Sequence, residues 1–548
     1  VIFKDIQNLP ARPIGSRTPG SGLGVFDTTE QAVSARWLDV FNFKRYSDLK
    51  WLLDEVRNLP YCEEGVASPD LPLDCYEYAK TPRDLFSKLD EWSVDNIVIP
   101  HGQSWGYHVP LGTSWDKRLN DEGHDPNKQI LLEIMSGHGN SEEYRDITSV
   151  NFLQDNTMSC PEPTEDFLPC CWQAGEMQKK RCDGLTADEC NARVELAKQY
   201  TLAGGPYTNM VFPEAKPEEW LSCDQCTDCF KPAFNYRPKQ SAQYALAISN
   251  FEESIESPQR YNFGFIASTD DHTARPGTGY KQYERRKMTF ATGVKSKIWE
   301  YQYKAEDPNF PEIPKIMPGE SQPDSERVSS FVYPGGILAV HAKGRGRDEI
   351  WAALKNKNVY GTSGPRILLW FDLINSPEGQ ASMGSEITMS QNPRFIVRAA
   401  GSFKQKPGCS NESIDSLSAK RLDYLCAGEC YNPGNQREVI ERIEVIKITP
   451  QVYAGEAVSP LIQDPWKSIP CQGKGECIVE FEDQNFSRDS VYYARAIQSP
   501  TPAINGSPLS QRDNFELCKG SFRTDLENDC LSMTNERAWS SPIYVNKP

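Results

Sequence analysis

Asp270 and His272 sit at the end of a short apolar run. Phe263 to Ala267 leads into Ser268-Thr269-Asp270-Asp271-His272. A buried strand that delivers Asp and His at its carboxyl end is a common way to build a metal site. Two residues apart on extended chain, the carboxylate and the imidazole point the same way and can reach one ion or two neighbouring ions. Arg275 follows in a turn-rich loop with Gly277 and Gly279, where a guanidinium can meet an anionic substrate. An Asx-type turn after a core strand is the structural alternative for a lone D-x-H.

The chain has six histidines, and three stand at or just beyond apolar runs. His101 closes Asn96–Pro100. His138 lies just after Ile130–Ile134, the run that carries Glu133. In open or barrel-like α/β folds functional groups gather at the carboxyl ends of strands. His101, Glu133, His138, Asp270 and His272 are therefore expected to converge on one cleft. Mixed imidazole and carboxylate donors suit zinc, manganese or iron better than calcium. His341 is a further candidate for the same mouth, whereas His108 and His124 fall in loops and are expected to be solvated. Any one of these side chains alone also reads as a satisfied polar group.

Elements must hold these groups in place. Leu49, Leu52, Leu53 and Val56 predict a helix over Ser47–Leu59. Thr81-Pro82 starts another, with Leu85, Phe86, Leu89 and Trp92 as its buried stripe. Helices alternating with short, wholly apolar strands signal an α/β arrangement with strands covered on both faces. Residues 150–235 form a Cys-rich insertion in which Thr186 and Glu189 make a capping box. Further helices are expected over Ser241–Phe251 and Arg347–Lys355, with a strand over Gly335–Val340 between them. From residue 366 onward, apolar runs such as Ile367–Leu373, Phe395–Ala399, Ile443–Ile448, Ile478–Phe481, Val491–Ile497 and Ile543–Val545 alternate with turn residues. That pattern predicts an all-β, sandwich-like module.

At 548 residues the chain is expected to form two or more domains. With 59 Lys and Arg against 76 Asp and Glu it carries −17, which argues against broad binding to nucleic acid or anionic membrane. No apolar run is long enough to span a bilayer. Seventeen cysteines suit disulfides in an oxidising compartment, and the odd count leaves one thiol free or joined to another chain. Cys223-x-x-Cys226-x-x-Cys229 has no clear fourth zinc ligand, so disulfides are the better reading there. Sequons at Asn411, Asn485 and Asn505 permit glycosylation. The opening at Val1, without Met or an apolar leader, reads as a processed or partial product that is secreted, extracellular or periplasmic. No phosphate-binding loop, dinucleotide fingerprint or nucleophile elbow is present.

Three stretches carry a family resemblance: IVIPHG at 97–102, LLEIMSGHGNSEEY at 131–144 and FGFIASTDDHTARPGTGY at 263–280. They resemble the PHP (polymerase and histidinol phosphatase) superfamily, and most of all its secreted branch, the domain-of-unknown-function 3604 family. SCDQCTDCFKPAFNYRP, GGILAVHAKGRGRDEIWAALKNKNVYGTSGPRI and the terminal AWSSPIYV are similar to the same branch, so the resemblance extends over essentially the whole chain. It implies a distorted β/α barrel with two or three divalent transition metals (Zn, Mn or Fe) that hydrolyses a small phosphorylated substrate. On this resemblance His101, Asp270 and His272 are metal ligands, and Glu133 and His138 fall in a motif of the branch.

One departure matters. The superfamily's sites also use an early H-x-H pair, and none occurs in this sequence. VIFKD resembles the segment just after the family's N-terminal half-barrel, so the resemblance implies a missing N-terminal half as partner, disulfide-linked or not. A homo-oligomer is also open. The expected division is 1–149 and 236–365 for the middle and C-terminal parts of the barrel, 150–235 for the insertion and 366–548 for the sandwich-like module. The resulting expectation is a secreted metal-dependent phosphoesterase that uses a metal-activated water. Asp270, His272 and Arg275 would serve catalysis, and Arg275 and Arg366 would bind the phosphoryl group bidentately. The alternative is an extracellular structural or binding protein on an inactive scaffold of this kind.

Overall fold

Thr81 begins the first helix by accepting a hydrogen bond from the Asp84 amide, with Pro82 at the first turn where its missing N–H costs nothing. The computed structural model that shows this describes residues 1–5, 9–15, 59–155, 157–271, 305–314, 328, 330–426, 428, 430–506 and 531–548. The helix expected over Ser47–Leu59, His272 and Arg275 lie outside the described residues, Leu59 excepted. Helix α1 (Pro82–Glu91) buries Phe86 and Leu89 against Val98. Strand β1 (Ile2–Phe3) pairs antiparallel with β2 (Asn96–Ile97), which leads into His101.

The centre of the α/β part is a three-stranded sheet. Strand β3 (Leu131–Ser136) turns through Gly137-His138 into β4 (Gly139–Asn140). On its other side β3 runs parallel to β5 (Gly264–Ala267), with Leu131 opposite Gly264. All six residues of β3 and all four of β5 are buried, as parallel strands covered on both faces require. Helices α2 (Cys170–Lys179) and α3 (Ala187–Ala203) belong to the Cys-rich insertion, and the Thr186–Glu189 capping box forms as expected. Helix α4 (Ala242–Ala247) is shorter than the stretch expected to be helical.

The fold is mixed α/β with many sheets and few helices, and no closed barrel forms among the described residues. Strands β6 (Ile337–Val340) and β7 (Val359–Thr362), which flank α5 (Arg347–Lys355), were expected to belong to a barrel. They pair with each other, and β7 pairs antiparallel with a strand near the chain's end. They thereby join the larger sheet of the all-β part.

That part contains β8 (Leu368–Ser376), β9 (Gly379–Ser382), β10 (Glu386–Thr388), β11 (Arg394–Ala400), β12 (Ile440–Ile448), β13 (Ile462–Pro470), β14 (Glu476–Glu482), β15 (Ser490–Gln498), β16 (Arg537–Ser540) and β17 (Ile543–Asn546). One sheet runs β9-β8-β11-β14. The other runs β10-β17-β15-β16-β7-β6, with β12 beside β15 and β13 beside β12. Phe371, Phe395, Val397, Ile443, Val445, Tyr492 and Ala494 fill the space between the sheets, as the alternating runs imply.

A second core crosses from this module into the α/β part, where Phe265 meets Tyr493 and Phe230 meets Trp539. A buried ionic network lies beside it. Glu142, four residues past His138, accepts hydrogen bonds from Tyr493 Oη (2.6 Å), Arg495 Nε (2.6 Å) and Trp539 Nε1. Arg495 also binds Asp464 through two bonds of 2.6 Å and reaches Glu444 at 3.3 Å. Glu143 accepts from Asn140 Nδ2 at 2.5 Å and the Phe230 amide at 3.1 Å. Burial pushes its carboxyl up to about 7, and the charge of Glu142 adds to the effect.

A carboxyl raised in the folded state favours the protein while it stays protonated. Stability is therefore full below the ordinary carboxyl range and falls as pH rises from about 4.5 through 7. A Glu143→Gln variant should remove this slope and gain about 3 kcal/mol over the parent at pH 8, but little at pH 4.5. Urea denaturation at the two pH values reads the difference; equal effects at both would show that Glu143 is ionised throughout.

Seven disulfides form among the described residues, including Cys170–Cys223 and Cys226–Cys229 within the C-x-x-C-x-x-C stretch. No helix among the described residues is long and apolar enough to cross a membrane. Of the three sequons, Asn411 and Asn485 are exposed. Asn505 is 2% exposed and donates to the Val332 carbonyl at 2.9 Å, so the expectation of a glycan there is corrected.

Candidate metal centre

His101, His138 and Asp270 come from three separate chain segments, and one donor atom from each lies within 4.8 Å of the others. His138 occupies the turn between β3 and β4. Asp270 lies just past the end of β5, on the chain neighbouring β3, and His101 follows β2. The His138 Nε2 to Asp270 Oδ2 distance is 2.5 Å, and His101 Nε2 lies 3.5 Å from Asp270 Oδ1. One carboxylate therefore faces both imidazoles, each through its own oxygen.

Asp270 adopts a left-handed backbone with φ of 55°. That conformation is uncommon for non-glycine residues, although Asp tolerates it better than most. The turn is held from outside: Gly336 N donates to the Ser268 carbonyl at 2.6 Å, and Gly335 (φ +84°) lies so close that a Cβ there would sit 2.4 Å from the Thr269 carbonyl oxygen. The glycines that precede β6 thus shape the loop that presents Asp270.

Glu133 reaches the cluster through His101. Its Oε2 is 2.8 Å from His101 Nδ1 and 3.4 Å from the Gly102 amide, and its Oε1 accepts from Ser268 Oγ. This fixes the His101 ring so that Nε2 is the nitrogen turned toward Asp270, the carboxylate–histidine arrangement that orients metal ligands. Glu133, followed by Asp270, also holds His101 protonated, raising it to about 9 although burial works the other way. The cluster is therefore a place that favours a cation. Two imidazoles and a carboxylate fit a divalent transition metal.

A Glu133→Gln variant should weaken binding of zinc by about 10- to 100-fold while keeping the fold. Titration calorimetry with the metal alone checks this; unchanged affinity would reduce Glu133 to a packing role.

Of the two histidines expected to be solvated, His108 is exposed and His124 is not. His124 is buried, bonds Gln129 Oε1 at 2.9 Å and packs on Tyr261 and Phe263. His108 lies at the cluster's edge, its ring 4.5 Å from Trp105 and 5.9 Å from His138. Burial, then the neighbouring imidazoles, push it down to about 4, so it is neutral at pH 7. Trp105 stacks on His138 at 3.9 Å and 15°. Trp105 follows His101 by four residues, and that closeness is the one sequence signal that could have flagged it.

His341 donates through Nε2 to the Leu369 carbonyl (2.9 Å) and packs on Tyr360 and Trp370, so it belongs to the all-β part rather than to the metal mouth. Arg366 is placed with its guanidinium 4.0 Å from the Tyr431 ring.

Comparison with known families adds one match. A family described as "Protein of unknown function (DUF3604)" matches residues 250–403. The matched stretch includes β5 and Asp270, and it also spans His272, Arg275 and Arg366. It leaves out His101, Glu133 and His138, which the fold brings to Asp270 from outside it. No curated protein matches the chain, and no solved structure does.

Proposed function

We propose that the chain is a secreted, metal-dependent hydrolase of the PHP type that acts on phosphoesters. The observation that carries the reading is the convergence of His101, His138 and Asp270 within 4.8 Å, with Glu133 orienting His101 from behind. In this reading His101 Nε2, His138 Nε2 and the two Asp270 oxygens hold the ion or ions, and His272, two positions further along the sequence, is proposed as an additional ligand. When bound, a divalent ion polarises the phosphoryl oxygens and lowers the pKa of water toward neutrality.

The chain's own groups do the rest. Glu133 keeps His101 in one tautomer and one orientation. Trp105 covers one face of His138 and excludes water from it. Asp270, held by the glycines at 335 and 336, sets the spacing between the two imidazoles. Arg275 would bind a non-bridging phosphoryl oxygen. The seven disulfides support an extracellular or periplasmic location.

The test is elemental analysis of the native protein together with hydrolysis of 4-nitrophenyl phosphate. Expected are two or three transition metals per molecule and an activity that a chelator abolishes and zinc or manganese restores. Metal-free native protein would favour the structural or binding reading, and chelator-resistant hydrolysis would rule out the metal.

A further inference from the structure

Arg237 is a cation buried at a joint of the α/β part, and two of its nitrogens have no acceptor. The residue is 5% exposed. Its Nε donates to the Val109 carbonyl at 3.0 Å. Nη1 and Nη2 are buried as well, and no oxygen among the described residues accepts from either. Burial pushes the guanidinium down to about 10, the charge of Asp224 works the other way, and the group stays charged at neutral pH. Asp224 accepts no hydrogen bond from it and spends Oδ1 on the Cys170 amide at 3.0 Å.

The joint lies between 104–109, which follows His101, and 234–237 at the end of the Cys-rich insertion. The Arg237 amide donates to the Ser104 carbonyl at 3.0 Å, and the Gly106 amide donates to the Phe234 carbonyl at 2.9 Å. Asn235 Nδ2 donates to Thr208 Oγ1 at 2.9 Å, which ties the short helix Gly205–Val211 to the same joint. Gly106 lies against the guanidinium. A Cβ there would sit 2.9 Å from Arg237 Cζ and 2.2 Å from the Asn235 carbonyl oxygen. Such close surroundings favour a small partner for the two nitrogens.

We propose that Nη1 and Nη2 of Arg237 hold a halide ion, chloride in the native setting, inside this joint. An unpaired charge in a dry interior is costly, and a neutral acceptor would leave that charge unbalanced. An anion supplies both the acceptor and the opposite charge. The planar fork of the guanidinium can aim two N–H groups at one point, where a monatomic anion accepts from both. An oxyanion would bring further oxygens that need donors of their own. The ion would pin the loop that carries Trp105, whose ring stacks on His138. The site itself depends neither on the metal centre nor on phosphoester hydrolysis.

The experiment is thermal unfolding of the full chain, with sodium chloride exchanged for sodium gluconate at constant ionic strength. Excess chelator is present, so that no halide bound to a metal contributes. The Tm should rise by about 3 °C between about 1 and 100 mM chloride, and bromide should substitute for chloride. Arg237→Met, similar in length but uncharged, should abolish this dependence. Wild-type crystals grown with bromide should show its anomalous peak within hydrogen-bond reach of both Nη atoms, a readout that needs no variant.

A Tm indifferent to chloride, or a dependence that Arg237→Met retains, would overturn the proposal. So would a water in place of bromide beside the fork. A bromide peak without any effect in solution means binding at crystal concentration only, and would overturn it too.

Discussion

An Asp270→Ala variant is expected to lose more than about 100-fold in metal affinity, and with it the hydrolytic activity, while keeping its disulfides and sheets. Asp270 supplies the one carboxylate that both imidazoles face, at 2.5 Å and 3.5 Å. Without it the site keeps two neighbouring imidazoles, their ring centroids 4.8 Å apart, and loses a negative charge that balances an ion. Asp270→Asn should preserve the turn better, because Asn also tolerates the left-handed backbone at φ 55°. It should nevertheless bind metal poorly, since a neutral amide replaces an anionic donor.

A second readout needs no metal. Glu133 and then Asp270 hold His101 near 9, so loss of Asp270 should lower the His101 pKa toward its ordinary value, with Glu133 still holding it part of the way up. Titration of metal-free protein followed by NMR of the imidazole reads this directly. An unmoved His101 pKa, or metal affinity within a few-fold of the parent, would exclude Asp270 from the centre.

An Arg495→Met variant should destabilise the protein by about 3–5 kcal/mol, because it strands buried carboxylates without their cation. Burial is the largest influence and works to raise the carboxyls of Asp464 and Glu444, yet the charge of Arg495 together with hydrogen bonds from Arg495 and Gln243 to Asp464, and from Arg442 to Glu444, holds both below their ordinary values. Such carboxylates contribute stability that is present above their unfolded pKa and lost as pH falls through the folded one. Removing Arg495 takes away that contribution, so the deficit should be largest near pH 8 and shrink toward pH 4 as the stranded groups take up protons. Denaturant unfolding across this range checks both magnitude and slope. A deficit that grew on acidification would contradict the assignment. Glu142 anchors the chain just beyond His138 to Arg495, so the all-β module braces the hairpin that carries a candidate ligand.

Much of the local structure was legible because short-range chemistry decides it. The Thr81-Pro82 start, the Thr186–Glu189 capping box and the buried run ending at Ala267 each depend on residues within one or two turns of chain. Disulfides as the fate of the Cys-rich stretch followed from composition and spacing. The convergence of His101, Glu133, His138 and Asp270 was readable as an expectation, because strand ends in α/β folds share one side of a sheet.

What tertiary structure alone decided involves partners far apart in sequence. Glu133 meets His101 through an orienting bond, a choice that depends on the offset between β2 and β3. His108 and His124 are packed against aromatic rings that no local pattern announces. Strands β6 and β7 join the large sheet because β7 finds its register on β16, near the other end of the chain. Asn505 has a sequon's spacing but spends its amide on Val332. In each case a side chain or a strand edge is satisfied by whatever the fold brings beside it, and that neighbour is set by global packing rather than by the residues on either side.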